Sequence, residues 1–157
     1  MKWSDVCQDK SLQDLPYKIE LNEKGQLVMS PASNKHGSFQ VKIALLMRKM
    51  LCGGDLIAEC SIETIKGIKV ADVAWTSDAF LTRHKYQTPY SVAPELCVEI
   101  VSLSNSRSEI LEKVDLYLSK GANEVWVCDE RGTLKFYSHS GRLPKSKMLR
   151  KFPGKIS

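Results

Sequence analysis

Two short runs decide how this chain is read: Val70-Ala71-Asp72-Val73-Ala74-Trp75 and Glu95-Leu96-Cys97-Val98-Glu99-Ile100-Val101. Both have the apolar character of strands, and both carry an acid well inside the run. Aspartate is disfavoured in strands, and a carboxylate taken out of water without a partner is costly. Strand side chains alternate between faces. Ala71, Val73 and Trp75 therefore point one way, and Val70, Asp72 and Ala74 the other, which puts Asp72 among small apolar neighbours. In the second run Leu96, Val98 and Ile100 form a wholly apolar face, while Glu95, Cys97, Glu99 and Val101 share the opposite one. Two acids on neighbouring strands repel each other unless a cation lies between them. A hard divalent ion with oxygen ligands meets that need, Mg²⁺ being the common case. The alternative is that one or both acids face water from an edge strand.

Towards the C-terminus, Ser104–Asn105 marks a turn into a helix over about Ser106–Lys120, and Gly121 suits its end. At about 100° per residue, Ile110, Val114 and Tyr117 centre its apolar stripe, with Leu111 and Leu118 on the far edge. Lys113 lies at the near edge, so its stem can rest on the core while its ammonium reaches across the sheet. Glu109, one turn earlier, could pair with it on the surface instead. Glu124–Asp129 and Thr133–Tyr137 read as two more strands around a turn at Arg131–Gly132. Towards the N-terminus, residues 1–16 are polar and aperiodic and read as an arm. Gln26–Met29 is a short strand between turns at Lys24–Gly25 and Ser30–Pro31. Asn34 offers a helix cap, helical spacing follows in Phe39, Ile43, Leu46, Met47 and Met50, and Gly53–Gly54 stops it. Leu56–Ile65 alternates as one or two strands, Gly67 marks a turn, and Lys69–Thr76 is another strand. Asp78–His84 reads as a short helix before a loop to Pro94. This α/β (α+β) order predicts a mixed central sheet flanked by helices.

The length of 157 residues suits one compact domain. Apolar residues at 43% and charged residues at 26% exclude a wholly disordered chain. No apolar run approaches the roughly 20 residues of a membrane span. The start, MKWSDVCQDKSLQ, lacks a signal-peptide stretch, so a cytoplasmic protein without a membrane partner is expected. The five cysteines are widely spaced with no C-x-x-C pair, which gives a zinc site little support. Cys60, Cys97 and Cys128 sit in apolar runs, as reduced core thiols do. Net charge is +5, yet residues 131–157 hold eight Lys or Arg and no acid, leaving −3 on the rest. A basic end suits a polyanionic partner; a solvated tail would look the same.

The ordered set of Val70–Trp75, then Pro94–Ser102, then Glu112-Lys113-Val114-Asp115-Leu116-Tyr117 and Glu124–Asp129 resembles the Uma-two-like family of restriction endonucleases, in the PD-(D/E)XK superfamily. Leu27-Val28-Met29-Ser30-Pro31 with His36 is similar to that family's N-terminal signature, and the likeness runs from about Tyr17 to Asp129. It implies a restriction-endonuclease-like fold and metal-dependent cleavage of DNA. By the resemblance Asp72 and Glu99 match the two superfamily acids. The superfamily's usual lysine position is Val101 here, and Lys113, on the following helix, takes the place the family typically uses. Glu20 matches an acid near the start of the family pattern. Ala71 and Leu103 stand where the family often has proline; proline ligates nothing, so neither change removes chemistry.

The expected site combines both readings, with Glu20 supplied by the resemblance alone. Asp72, Glu99 and the Ile100 carbonyl hold Mg²⁺ or Mn²⁺; Lys113 positions the attacking water; Glu20 completes the ligand shell or a second metal position. Glu95, at the start of its strand, is an outer group. Lys35 and His36 near a helix N-terminus, and Arg83 and Lys85, are candidate phosphate contacts. Ser102, Ser104 and Asn105 are expected to cap the next helix. A homodimer is expected, since cutting both strands calls for two sites. The expected division is an N-terminal arm (1–16), a nuclease-like domain (17–138) and a basic C-terminal segment (139–157) packed on it or trailing from it. Two other readings compete: a nucleic-acid-binding module of the same fold that does not cut, and an assembly protein whose acids are structural.

Overall fold

The computed structural model describes all 157 residues. The chain opens with a six-residue helix, α1 (Trp3–Gln8), and a 3-10 turn at Lys10–Leu12. The expected featureless arm is thus partly helical. One buried residue, Val6, is too little to produce a visible period. An antiparallel hairpin follows, β1 (Tyr17–Leu21) and β2 (Leu27–Pro31). Helix α2 (Asn34–Met50) is capped by Ser33, whose side chain accepts the His36 N–H; the cap falls one residue before the expected Asn34.

The remaining strands are β3 (Asp55–Thr64), β4 (Gly67–Thr76), β5 (Leu96–Ile100), β6 (Glu124–Cys128), β7 (Leu134–Ser138) and β8 (Gly141–Leu143). They form one sheet in chain order. Only β5 and β6 run parallel. A parallel pair needs a crossover, and α4 (Arg107–Ser119) supplies it. The Ser106 hydroxyl accepts the Glu109 N–H while the Glu109 carboxylate accepts the Ser106 N–H, a reciprocal cap. A short helix, α3 (Asp78–His84), lies between β4 and β5.

Both faces of the sheet are covered. Phe39, Ile43 and Met47 of α2 pack on Val73, Trp75, Leu96, Val98 and Ile100, together with Leu149, Phe152 and Ile156 from the C-terminal segment. Ile110, Val114 and Tyr117 of α4 pack on Ala74, Cys97 and Val125 of the other face. The alternation read along β5 is the observed one. The C-terminal residues are fastened by Glu124, a buried strand acid with four donors. These are Trp126 Nε1 at 2.8 Å, Ser146 Oγ at 2.7 Å, and the N–H groups of Lys147 at 2.7 Å and Met148 at 2.9 Å.

Two local features shape the site. Ala58↔Val73 and Cys60↔Ala71 are paired, but pairing lapses between them, where Glu59 adopts φ +53°. The Asp72 carbonyl there accepts Gln40 Nε2 of α2 at 2.7 Å. At the far turn of this hairpin Gly67 has φ +93°, and a Cβ on it would meet the Leu21 carbonyl oxygen at 2.2 Å. The turn therefore docks tightly on the end of β1.

Candidate active site

The β4–β5 ladder stops one step before the two acids. It pairs Trp75↔Leu96, Ala74↔Cys97 and Val73↔Val98, and then ends. Side chains replace the missing ladder. The Ile100 N–H donates to Asp72 Oδ2 at 2.7 Å, and the Val70 N–H donates to Glu20 Oε2 at 2.6 Å. Asp72 is fully buried and Glu99 is 1% exposed. Carboxylates so enclosed persist only with close partners.

Those partners come from three elements. Lys18 and Glu20, two apart on β1, share a face. Lys18 Nζ bridges the pair, 3.2 Å from Asp72 Oδ1 and 3.0 Å from Glu99 Oε2. Lys113 and Tyr117, four apart on α4, also share a face. Lys113 Nζ lies 2.9 Å from Glu20 Oε2 and 3.6 Å from Glu99 Oε2. The Tyr117 hydroxyl donates to Glu99 Oε1 at 2.6 Å. From α2, on the other face, His36 Nε2 comes within 3.3 Å of Asp72 Oδ1, where the β4–β5 ladder has ended.

The two acids respond differently to this setting. Burial pushes the Asp72 carboxyl up, but Lys18, His36 and the Ile100 N–H overcome it and hold the group down at about 2. Burial dominates at Glu99 and raises it; Lys113 and Lys18 oppose the rise, and Asp72 and Glu20 add to it. His36 is raised, chiefly by its contact with Asp72. Burial, then the Glu99 charge, lifts the Tyr117 hydroxyl well above its usual range, so it acts as a donor.

The donor set fits a magnesium-type ion. No three His, Cys, Asp or Glu side chains are arranged to hold a metal by themselves. Two carboxylates converging on one cation are nevertheless the usual side-chain share for Mg²⁺, which keeps several waters. An all-oxygen set also argues against zinc. Two clefts border the cluster, one at Glu20 and Lys113 and the other at His36. A cleft of about 290 Å³ is lined by Glu20, Lys69, Glu109, Glu112 and Lys113, among others. A smaller one of about 160 Å³ is lined by Lys35, His36, Ser102, Leu103 and Glu130, among others.

The family profile described as "Uma2: Putative restriction endonuclease" matches residues 9–150. The chain belongs to the Uma2 family. A search of curated proteins finds no match. Among solved structures, the fold is similar to a "putative nuclease belonging to DUF820" from Anabaena variabilis ATCC 29413. The TM-score is 0.69 and the identity 15%, over 88% of this chain and 86% of that one. The resemblance read from the strand acids and α4 is thereby borne out, as is the mixed sheet flanked by helices.

In this Uma2 chain the fold brings Asp72, Glu99, Lys113, Glu20 and His36 into one cluster, with Lys35 at its rim. Several finer expectations are corrected. Glu109 does not pair with Lys113; it closes the helix cap at Ser106, leaving Lys113 to the buried acids. Ser102, Ser104 and Asn105 do not cap α4. Asn105 Oδ1 accepts from the Ser102 N–H and hydroxyl, which closes the loop on itself. His36 is a buried partner of Asp72 rather than a surface contact. Arg83 and Lys85 are exposed on or just after α3, whose first turn is tied to Glu95 at the start of β5, whereas the site lies at that strand's end. They take no part in the cluster. Ile100 also contributes its N–H, which donates to Asp72 Oδ2. Sequence reading missed Lys18 and the Glu99 contact of Tyr117. Alternation along Tyr17-Lys18-Ile19-Glu20 places Lys18 beside Glu20 once Glu20 is chosen. The four-residue step from Lys113 does the same for Tyr117.

Proposed function

We propose that this protein is a metal-dependent endodeoxyribonuclease whose centre is Asp72 and Glu99. One observation carries the reading: two buried carboxylates on adjacent strands converge on a single cation position, 3.2 and 3.0 Å from the ammonium that lies there. Asp72, Glu99 and the Ile100 carbonyl would hold Mg²⁺ or Mn²⁺, which supplies a water of lowered pKa and polarises a phosphoryl oxygen. Lys113 orients that water and offsets charge developing on the phosphate. Glu20, tied to the Val70 N–H, positions Lys113, and Tyr117 orients Glu99. Lys35, exposed at the N-terminal turn of α2, gives the phosphate a favourable approach. DNA as substrate follows from the family description. We also propose a two-fold homodimer, which would cut both strands, and a reducing, cytoplasmic setting, which suits five free cysteines. No helix is long and apolar enough to cross a membrane.

A second reading has one observation in its favour. Lys18 already neutralises the acids, as a non-cutting nucleic-acid-binding module would need. Cleavage of supercoiled and single-stranded DNA with Mg²⁺, Mn²⁺ or EDTA, comparing wild type with Glu99→Gln, separates the two. The nuclease reading expects metal-dependent cutting that falls at least about a hundredfold in the variant. DNA binding without cleavage under any metal would select the second reading.

A further inference from the structure

We infer that Lys18 is a built-in counter-ion occupying the catalytic metal's position, and that the divalent ion binds by displacing it. This rests on the metal-centre reading above. Lys18 Nζ is the atom that bridges Asp72 Oδ1 and Glu99 Oε2, at 3.2 and 3.0 Å. A metal shared by those oxygens and that ammonium cannot lie in the same place.

Charge points the same way. The cluster holds three carboxylates (Asp72, Glu99, Glu20) and two ammonium groups (Lys18, Lys113). Replacing one ammonium by a divalent ion balances the three acids, whereas adding the ion with both lysines in place leaves one excess positive charge in an enclosed site. Lys113 is the less movable of the two, held at 2.9 Å by Glu20, which is itself tied to the Val70 N–H. Lys18 has no anchor apart from the two acids it bridges, and its side chain is 12% exposed, so solvent is within reach. A lysine stem has the rotamers to swing out. In the metal-free protein the same ammonium prevents repulsion between Asp72 and Glu99, so the site stays folded before the ion arrives.

Calorimetric titration with Mn²⁺ tests this on wild type, Lys18→Met, Lys18→Gln and the double variant Lys18→Met/Glu99→Gln. The glutamine variant serves if methionine prevents folding. Displacement gives up two charge-assisted hydrogen bonds, each worth on the order of tenfold in an equilibrium. Lys18→Met is therefore expected to bind Mn²⁺ at least about tenfold more tightly than wild type, and the double variant to lose that gain. Equal affinity in wild type and both single variants, abolished by the Glu99 change, would overturn displacement and leave the metal centre standing. Absence of Mn²⁺ binding in every variant would overturn both.

Discussion

Tyr117→Phe isolates one contact at the buried acid pair without altering packing. Tyr117 is fully buried, and its hydroxyl donates to Glu99 Oε1 at 2.6 Å. The substitution removes one oxygen and leaves no room for a replacement water of comparable geometry. A hydrogen bond to a charged group contributes about 1.5–3 kcal/mol. At about 2–4 °C per kcal/mol for a chain of this size, the melting temperature should fall by about 3–12 °C at neutral pH. The loss should depend on pH, with a definite sign. Burial raises the folded pKa of Glu99 above its usual value of 4.5. The folded state therefore binds the extra proton, and Glu99's contribution is fully present below the unfolded pKa and lost as pH rises through the folded one. Tyr117 favours the charged form, so its removal raises the folded pKa further and costs most where Glu99 is ionised. Thermal unfolding of the two proteins, compared at about pH 5 and about pH 8, should show the larger gap at the higher pH. A gap of the same size at both pH values, or none at either, would refute the view that Tyr117 stabilises an ionised Glu99.

Two further substitutions probe how the site is assembled. Gly67→Ala places a Cβ 2.2 Å from the Leu21 carbonyl oxygen in a residue with φ +93°. It should cost more than about 1 kcal/mol, and hydrogen exchange should show β1 amides, which flank Lys18 and Glu20, opening faster than those of β5 and β6. Glu124→Ala strands four donors, two of them on Trp126 and Ser146, which are fully buried. A loss of about 3–5 kcal/mol is expected by urea unfolding, since each orphaned donor costs about 1–3 kcal/mol and the cavity relaxes in part; amide protection over residues 146–156 should fall with it.

The contrast between Glu124 and the site acids explains why inspection of acids alone was not enough. All three lie in strands and are almost wholly buried. Glu124 is satisfied by neutral donors from a neighbouring segment, whereas Asp72 and Glu99 are satisfied largely by cations. Nothing in the local pattern distinguishes the two cases, because every donor but Trp126 lies 14 to 81 residues away along the chain.

Local signals, by contrast, were legible. Strand alternation placed Cys97 and Glu99 opposite Leu96, Val98 and Ile100. The helical period put Ile110, Val114 and Tyr117 on the core with Lys113 beside them. Such patterns work because burial on one face constrains residues two, three or four positions apart. They failed where an element was short or exposed: α1 buries a single residue, β8 has three residues, and β1 is half-exposed, so none has a readable period.

The sequence by itself determined the principal strands and helices, their apolar faces, and the places of Asp72, Glu99 and Lys113 within them, because each follows from contacts within a few residues. Only the tertiary structure decided that β1 folds across the end of β4, that Lys18 fills the space between Asp72 and Glu99, and that Glu20 lies against Lys113. Those arrangements depend on where separate elements pack, and the free energy that sets them resides in long-range burial and charge pairing, which leave no spacing in the chain to read.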